Sequence, residues 1–217
     1  MMRTNESGRS MIEMLGVLAI VGVLSVGGIA GYSKAMAKFK TNKLIDQVNM
    51  MSTNIRTMYS SQRTYAGLGN GLAAKIGIAP AEMYDAAKLS AGAASGSTFA
   101  LSNAFGGSVV VAAGKTNADD DSYVMIFDKI PAASCVTIAT TDWGNDSGSG
   151  LQAIGIYGGA NTADSLKTIM KAAISTETTD TNKFVVKAGG NNLPLSLPNA
   201  TKACGTTGET AIGWKYL

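Results

Sequence analysis

Gly8-Arg9-Ser10-Met11-Ile12-Glu13-Met14-Leu15 opens the stretch of this 217-residue chain whose reading decides the fold. A short polar leader ends at Gly8-Arg9, one acid stands at Glu13, and residues 14–33 carry no charge. Twenty helical residues rise about 30 Å, the hydrocarbon thickness of a bilayer, so the run reads as a membrane span. An acid at the edge of such a span is a functional suspect, because a carboxylate leaves water only for a partner. An ordinary secretory signal would put its small-residue cleavage site after the apolar block, whereas here the small residue precedes it.

Working outward, residues 9–65 read as one helix of about 85 Å, uninterrupted by proline. Its first part, 9–33, is apolar all round and transmembrane in character. Its second part, 34–65, is an amphipathic stem: Leu44, Val48, Met51, Ile55 and Met58 recur at alternating intervals of four and three, an apolar seam. Lys38, Lys43, Asp46, Arg56 and Arg63 lie largely off that seam. Gly27 and Gly31 form a small-xxx-small pair that lets helices approach closely. Gly16 and Gly22 read two ways, as ordinary glycines of a transmembrane helix or as a portion able to unwind.

From Ala66 the texture changes to a head, residues 66–217. Gly67, Gly69 and Gly71 open a loop, Pro80 starts a short helix through Leu89, and a Gly/Ser/Ala stretch covers 90–97. Strands are expected at Ser108–Ala112, Tyr123–Phe127, Leu151–Tyr157, Lys183–Lys187 and Ala211–Tyr216. Helices are expected at Ala132–Thr140 and Asp164–Ser175, the latter with Leu166, Ile169, Met170 and Ile174 on one side. The fold class is therefore α+β, a long N-terminal helix packed through its stem on an antiparallel sheet with short helices.

Charge is unevenly placed. Residues 9–65 carry a net +5 and residues 66–217 a net −2, the head holding ten Lys, no Arg and twelve acids. A nucleic-acid-binding head would show a basic patch with Arg and aromatics, so nucleic acid is not expected as a partner. Cys135 and Cys204, the only cysteines, are far apart and not in a C-x-x-C pair. A disulfide in an oxidising compartment fits them better than metal or redox chemistry; two unrelated buried thiols are the alternative.

The chain has no histidine. That removes Ser-His-Asp and Cys-His nucleophiles and imidazole metal sites together. Asn145-Asp146-Ser147-Gly148-Ser149-Gly150 thus reads as a turn-rich surface loop. Asp119-Asp120-Asp121 offers oxygen ligands for calcium but lacks EF-hand spacing and its distal Glu, and a solvated loop is favoured. Gly-rich stretches lack a Walker lysine. No catalytic residue, metal or cofactor is expected.

The segment Gly8 to Leu15, followed by its uncharged run, resembles the cleavage and anchor signature of type IV prepilins. The resemblance implies a pilin fold with one disulfide, and a leader, residues 1–8, cut by prepilin peptidase between Gly8 and Arg9. It also implies methylation of the new amino terminus at Arg9, where family members usually carry Phe or Met instead. Glu13 would then be the fifth mature residue. Buried among helices in a fibre, it would be neutralised by the amino terminus of a neighbour and would set axial register. Family members unwind near the region of Gly16 and Gly22. The segments Ile130-Pro131-Ala132-Ala133-Ser134-Cys135 and Gly189-Gly190-Asn191-Asn192 through Ala203-Cys204 look most like the type IVb branch, which includes plasmid-encoded and bundle-forming pilins.

The implied function is a structural subunit, the major pilin, of a surface filament for adhesion, aggregation, conjugative contact or motility. The implied partners are copies of itself, the peptidase, an inner-membrane assembly platform, and the membrane before assembly. Its place would be the inner membrane as prepilin and the cell surface as pilus. Lys34, Lys38, Lys40 and Lys43 outnumber Arg3 and Arg9, which by flank counting would put the head in the cytoplasm; the prepilin signature and the cysteines argue for an external head. The alternatives are a pseudopilin of a type II secretion system, which shares leader and helix, and a DNA-uptake minor pilin.

Overall fold

The computed structural model describes residues 7–90, 99–144, 148–158, 162–189, 193–206 and 208–217. The greater part of the leader, most of the 90–97 stretch, Asn145 to Ser147 and Gly190 to Asn192 lie outside the described residues. Two compact units are present, Met1–Phe39 and Lys40–Leu217.

Helix α1 spans Ser7–Tyr59. It ends six residues before the expected boundary of 65. The Gln62 N–H closes a turn on the Tyr59 carbonyl at 2.9 Å, and the Tyr65 N–H donates to the Asp120 carbonyl at 2.7 Å. The chain folds back so that the Tyr65 ring meets Tyr59 at 5.3 Å and Tyr123 at 4.9 Å. This aromatic contact also corrects the seam. Leu44, Val48, Met51 and Ile55 are fully buried as expected, but Met58 is 47% exposed and Tyr59 takes the last buried place.

In the second unit, short helices α2 (Asn70–Lys75) and α3 (Ala86–Ser90) flank a 3-10 turn, Ala81–Met83. The single helix expected from Pro80 to Leu89 is thus two pieces, divided where Asp85 turns to accept the Ala87 N–H at 2.9 Å. Strands follow at β1 (Leu101–Ser102), β2 (Ser108–Gly114) and β3 (Ser122–Pro131), then helix α4 (Ala132–Ala139). Strand β4 (Leu151–Gly158), helix α5 (Thr162–Lys171), strands β5 (Thr178–Asp180) and β6 (Lys183–Lys187), helix α6 (Leu197–Cys204) and strand β7 (Glu209–Tyr216) complete the order.

Among the described residues, seven strands make one sheet in the order β1-β2-β3-β7-β4-β6-β5, every pair antiparallel. The carboxyl-terminal strand β7 therefore lies near the middle. Alternation on β3 explains the layers, since successive side chains point to opposite faces. Tyr123, Met125 and Phe127 join the core of Leu44, Val48, Met51 and Ile55, while Val124 and Ile126 join a second core with Leu166 and Met170 of α5.

The sheet is thus covered on both faces, by the stem on one and by α5 on the other. Close approach of α5 depends on Gly155 and Gly213, which pair across β4 and β7. A Cβ on Gly155 would lie 2.6 Å from Leu166 Cδ1, and one on Gly213 would lie 3.2 Å from Leu166 Cδ2.

Candidate functional site

Two features of the described residues bear on function: the apolar part of α1, and the way the head is tied to the stem. Large apolar side chains from Met11 to Tyr32 are 52–76% exposed. Isolated soluble proteins do not leave such a surface to water, and α1 is long and apolar enough to cross a bilayer. Its hydroxyls suit that setting. Ser25 Oγ donates to the Val21 carbonyl at 2.7 Å and Ser33 Oγ to the Ile29 carbonyl at 3.0 Å, so neither is left unpaired.

Gly8 and Arg9 lie on the helical backbone of α1. Glu13 stands one turn further, on the exposed surface, and among the described residues nothing pairs with it. Added Cβ atoms at Gly16, Gly22, Gly27, Gly28 and Gly31 would meet nothing within 4 Å. The subunit's own packing therefore does not require those glycines.

Within the second unit, the stem is stitched to the head by polar contacts as well as by its seam. Lys43 Nζ pairs with Glu82 at 3.0 Å, and Gln47 Nε2 donates to the same carboxylate at 2.9 Å while its Oε1 accepts the Ala104 N–H at 3.2 Å. The Gln47 and Lys43 hydrogen bonds hold the Glu82 carboxyl below its usual range. Buried Thr41 donates to Ser134 of α4 at 2.9 Å. Arg56, expected off the seam, instead turns inward and donates through Nε to the Tyr123 hydroxyl at 3.2 Å and through Nη2 to the Ser149 carbonyl.

Sequence reasoning missed Asn70. It is buried in α2, donates to the carbonyls of Phe99 and Val109 at 2.8 Å each, and accepts the Val111 N–H at 2.7 Å. Gly69 and Ala112 form a β-bridge beside it. The Gly67 to Gly71 stretch, expected as a loop, thus leads straight into a helix whose first residue completes the edge of β2. An Asn between two glycines was the available signal, but nothing local says what it will bond.

Cys135 of α4 and Cys204 of α6 form a disulfide with Cα atoms 5.8 Å apart, closing a separation of 69 residues. By the chain-entropy model, a ring of that size restrains the unfolded chain by about 4 kcal/mol. The Asp119–Asp121 loop uses its acid internally. Asp121 accepts the backbone N–H groups of Thr116, Asn117 and Ala118 at 2.6, 2.6 and 2.8 Å. Burial pushes its carboxyl up, but those donors outweigh burial and pull it below the ordinary value. Asp119 pairs with Lys115 at 2.9 Å. Among the described residues no group of three or more His, Cys, Asp or Glu side chains is placed to hold a metal.

Comparison with known proteins places the chain. A family model described as PilS N terminal matches residues 38–189, well over half of the chain. The chain belongs to the PilS N-terminal family. Among curated relatives of this PilS-family chain are major structural subunits of bundle-forming pilus from two Escherichia coli strains, O127:H6 (E2348/69, EPEC) and O111:H-. Each is 26% identical over 142 residues, which is 65% of this chain and 68% of the relative.

Among solved structures, TcpA, a type IV pilin from Vibrio cholerae El Tor, matches with a TM-score of 0.53 at 18% identity, over 82% of this chain and 99% of that one. The PilS-family head and its long helix thus have the type IV pilin fold.

Proposed function

We propose that this chain is the structural subunit, the major pilin, of a type IVb-like pilus. The carrying observation is the union on one polypeptide of an exposed, uncharged α1 surface with a PilS-family head closed by Cys135–Cys204. The relation to major subunits of bundle-forming pilus supports the same reading and its type IVb branch. In this account prepilin peptidase cuts between Gly8 and Arg9, methylation falls on Arg9, and residues 9–33 hold the subunit in the inner membrane. An assembly platform then draws it into a fibre on the cell surface. Repeated packing of identical subunits through unlike faces gives an open filament, not a closed ring.

Glu13 is the register pin. Its carboxylate, unpaired among the described residues, would be buried among helices in the fibre and must then be matched by a cation. The amino terminus of a neighbour's Arg9 supplies one, and only one axial stagger aligns the two. Glycines that the lone subunit does not need, Gly27 and Gly31 above all, let neighbouring helices approach closely. Gly16 and Gly22 mark where α1 would loosen on leaving lipid.

The test is to replace Glu13. Glu13→Ala and Glu13→Lys are expected to leave a cleaved, membrane-bound subunit with few filaments by electron microscopy, while deletion of the chain removes filaments altogether. Wild-type piliation in either variant contradicts the register role, and filaments persisting after deletion contradict the function.

A further inference from the structure

Lys215 lies on the central strand β7 and is only 1% exposed, a rare place for an ammonium group. Its Nζ donates to the carbonyl oxygens of Lys115 at 2.5 Å and Ala172 at 2.6 Å. Burial draws its pKa down to about 8, with Asp121 opposing that shift. Asp121 is ionised, but its oxygens are taken up by three backbone N–H groups, and among the described residues it forms no direct ion pair with Lys215. Two of the three N–H groups of Lys215 are thus used, and the third is left to the space beside it.

That space is a cavity of about 200 Å³ lined by Thr116, Asn117, Gln152, Ser175, Lys187 and Lys215, with apolar Ile174 and Ala173. Three observations make it more than a gap in the packing. Thr116 Oγ1 is buried with no hydrogen-bond partner among the described residues, and native proteins rarely leave such a group idle. Gln152 sits where the β4–β7 register slips between Leu151 and Ala153, the kind of irregularity that re-aims a side chain. The lining holds two lysines and several neutral donors but no carboxylate. Glu177, whose Oε1 accepts the Lys187 backbone N–H at 2.8 Å, stands near Lys187 and keeps that side from being uniformly basic.

We propose that this cavity binds a small oxyanion, a carboxylate or phosphate group, held by Lys215 Nζ, the Thr116 hydroxyl and the Gln152 amide, with exposed Lys187 guiding it in. Charge-assisted hydrogen bonds to an oxyanion are the strong ones, and a buried ammonium with no direct ion-pair partner gains from such a ligand. The volume falls below the roughly 300–1,000 Å³ of pockets for drug-sized ligands. The ligand is accordingly a free ion or one acidic sugar, not a peptide. This site is separate from the helix surface assigned to assembly, so its test does not depend on piliation.

The test uses the full cleaved chain in detergent, titrated with inorganic phosphate and, separately, glucuronate, against sodium chloride at matched ionic strength. Calorimetry and thermal unfolding read the outcome. Saturable binding near one per chain is expected for at least one probe, with a raised Tm that chloride does not reproduce. Phosphate alone would point to a free or esterified phosphate, and glucuronate to an acidic sugar.

Thr116→Val, which keeps the side-chain shape, is expected to weaken binding about tenfold, and Lys215→Met to abolish it. Binding should also fade as pH rises from 7 to 9 and Lys215 loses its proton. Absence of saturable binding by both probes up to about 10 mM, a response that follows ionic strength alone, or unchanged affinity in a folded Thr116→Val chain overturns the proposal.

Discussion

The guanidinium carbon of Arg56, on the last turns of α1, lies 4.9 Å from the ring centroid of Tyr216, on the strand that ends the chain. The same side chain reaches the Tyr123 hydroxyl, and Tyr123 stacks on Tyr216 at 5.5 Å. One cation thereby joins the end of the helix to the adjacent strands β3 and β7 of the sheet. Arg is suited to this because its planar fork stacks and donates at once. Arg56→Met, which keeps much of the length but loses charge and donors, is expected to destabilise the chain by roughly 1–3 kcal/mol. Urea unfolding would show a lower midpoint at unchanged slope, and an unshifted midpoint would remove Arg56 from the account.

Asn70 supplies three hydrogen bonds that act as an extra rung on the edge of β2. Asn70→Ala strands two carbonyls and one N–H in a buried place. The expected cost is about 2–4 kcal/mol, from unsatisfied groups that each lose about 1–3 kcal/mol but partly relax. Asn70→Asp should keep the contact to the Val111 N–H and lose the two donations. Hydrogen exchange of the β2 amides is the sharper readout. It should quicken at Val111 in Asn70→Ala, and unchanged protection there would contradict the assigned role.

Lys215 gives the head a pH dependence with a definite sign. Its folded pKa of about 8 lies below the roughly 10.4 of an unfolded lysine. Below pH 8 both states hold the proton and the full cost of burying the ammonium is present. Between about 8 and 10.4 the unfolded chain holds more protons than the folded one, so stability rises with pH. Burial raises the hydroxyl pKa of Tyr59, Tyr65, Tyr123 and Tyr216. Those groups contribute stability that is present below about pH 10 and is lost as pH climbs further. Urea midpoints at fixed salt should climb from pH 7.5 to about 9.5 and then fall. Lys215→Met should lose the climb and keep the fall; a climb of equal size in that variant would assign it to another group.

The readable parts of this molecule were those governed by local period. Strand β6 falls at Lys183–Lys187 as expected of a short β-branched and aromatic run, and four of five seam residues of the stem are buried. The cysteines pair as composition and resemblance together suggested. Helix α6 carried a usable signal in Pro198 within its first turn, masked by the glycines and asparagines before it.

What was not readable depends on distant partners. Tyr59 replaces Met58 because Tyr65 folds back on it, and Arg56 turns inward because Tyr123 and Tyr216 wait there. The second layer, α5 over Gly155 and Gly213, needed knowledge that β7 threads between β3 and β4. The prepilin pattern is local, so it puts Gly8, Arg9 and Glu13 forward as candidates at once, whereas Lys215 and Asn70 look like ordinary polar residues until the sheet assembles around them.

The most direct test of the central claim is mass spectrometry of filaments sheared from the cell surface. The account requires this chain to be their principal component, beginning at Arg9, with Cys135 and Cys204 joined in one disulfide-linked peptide pair. A surface filament lacking this chain, or containing it with residues 1–8 still attached, would contradict it.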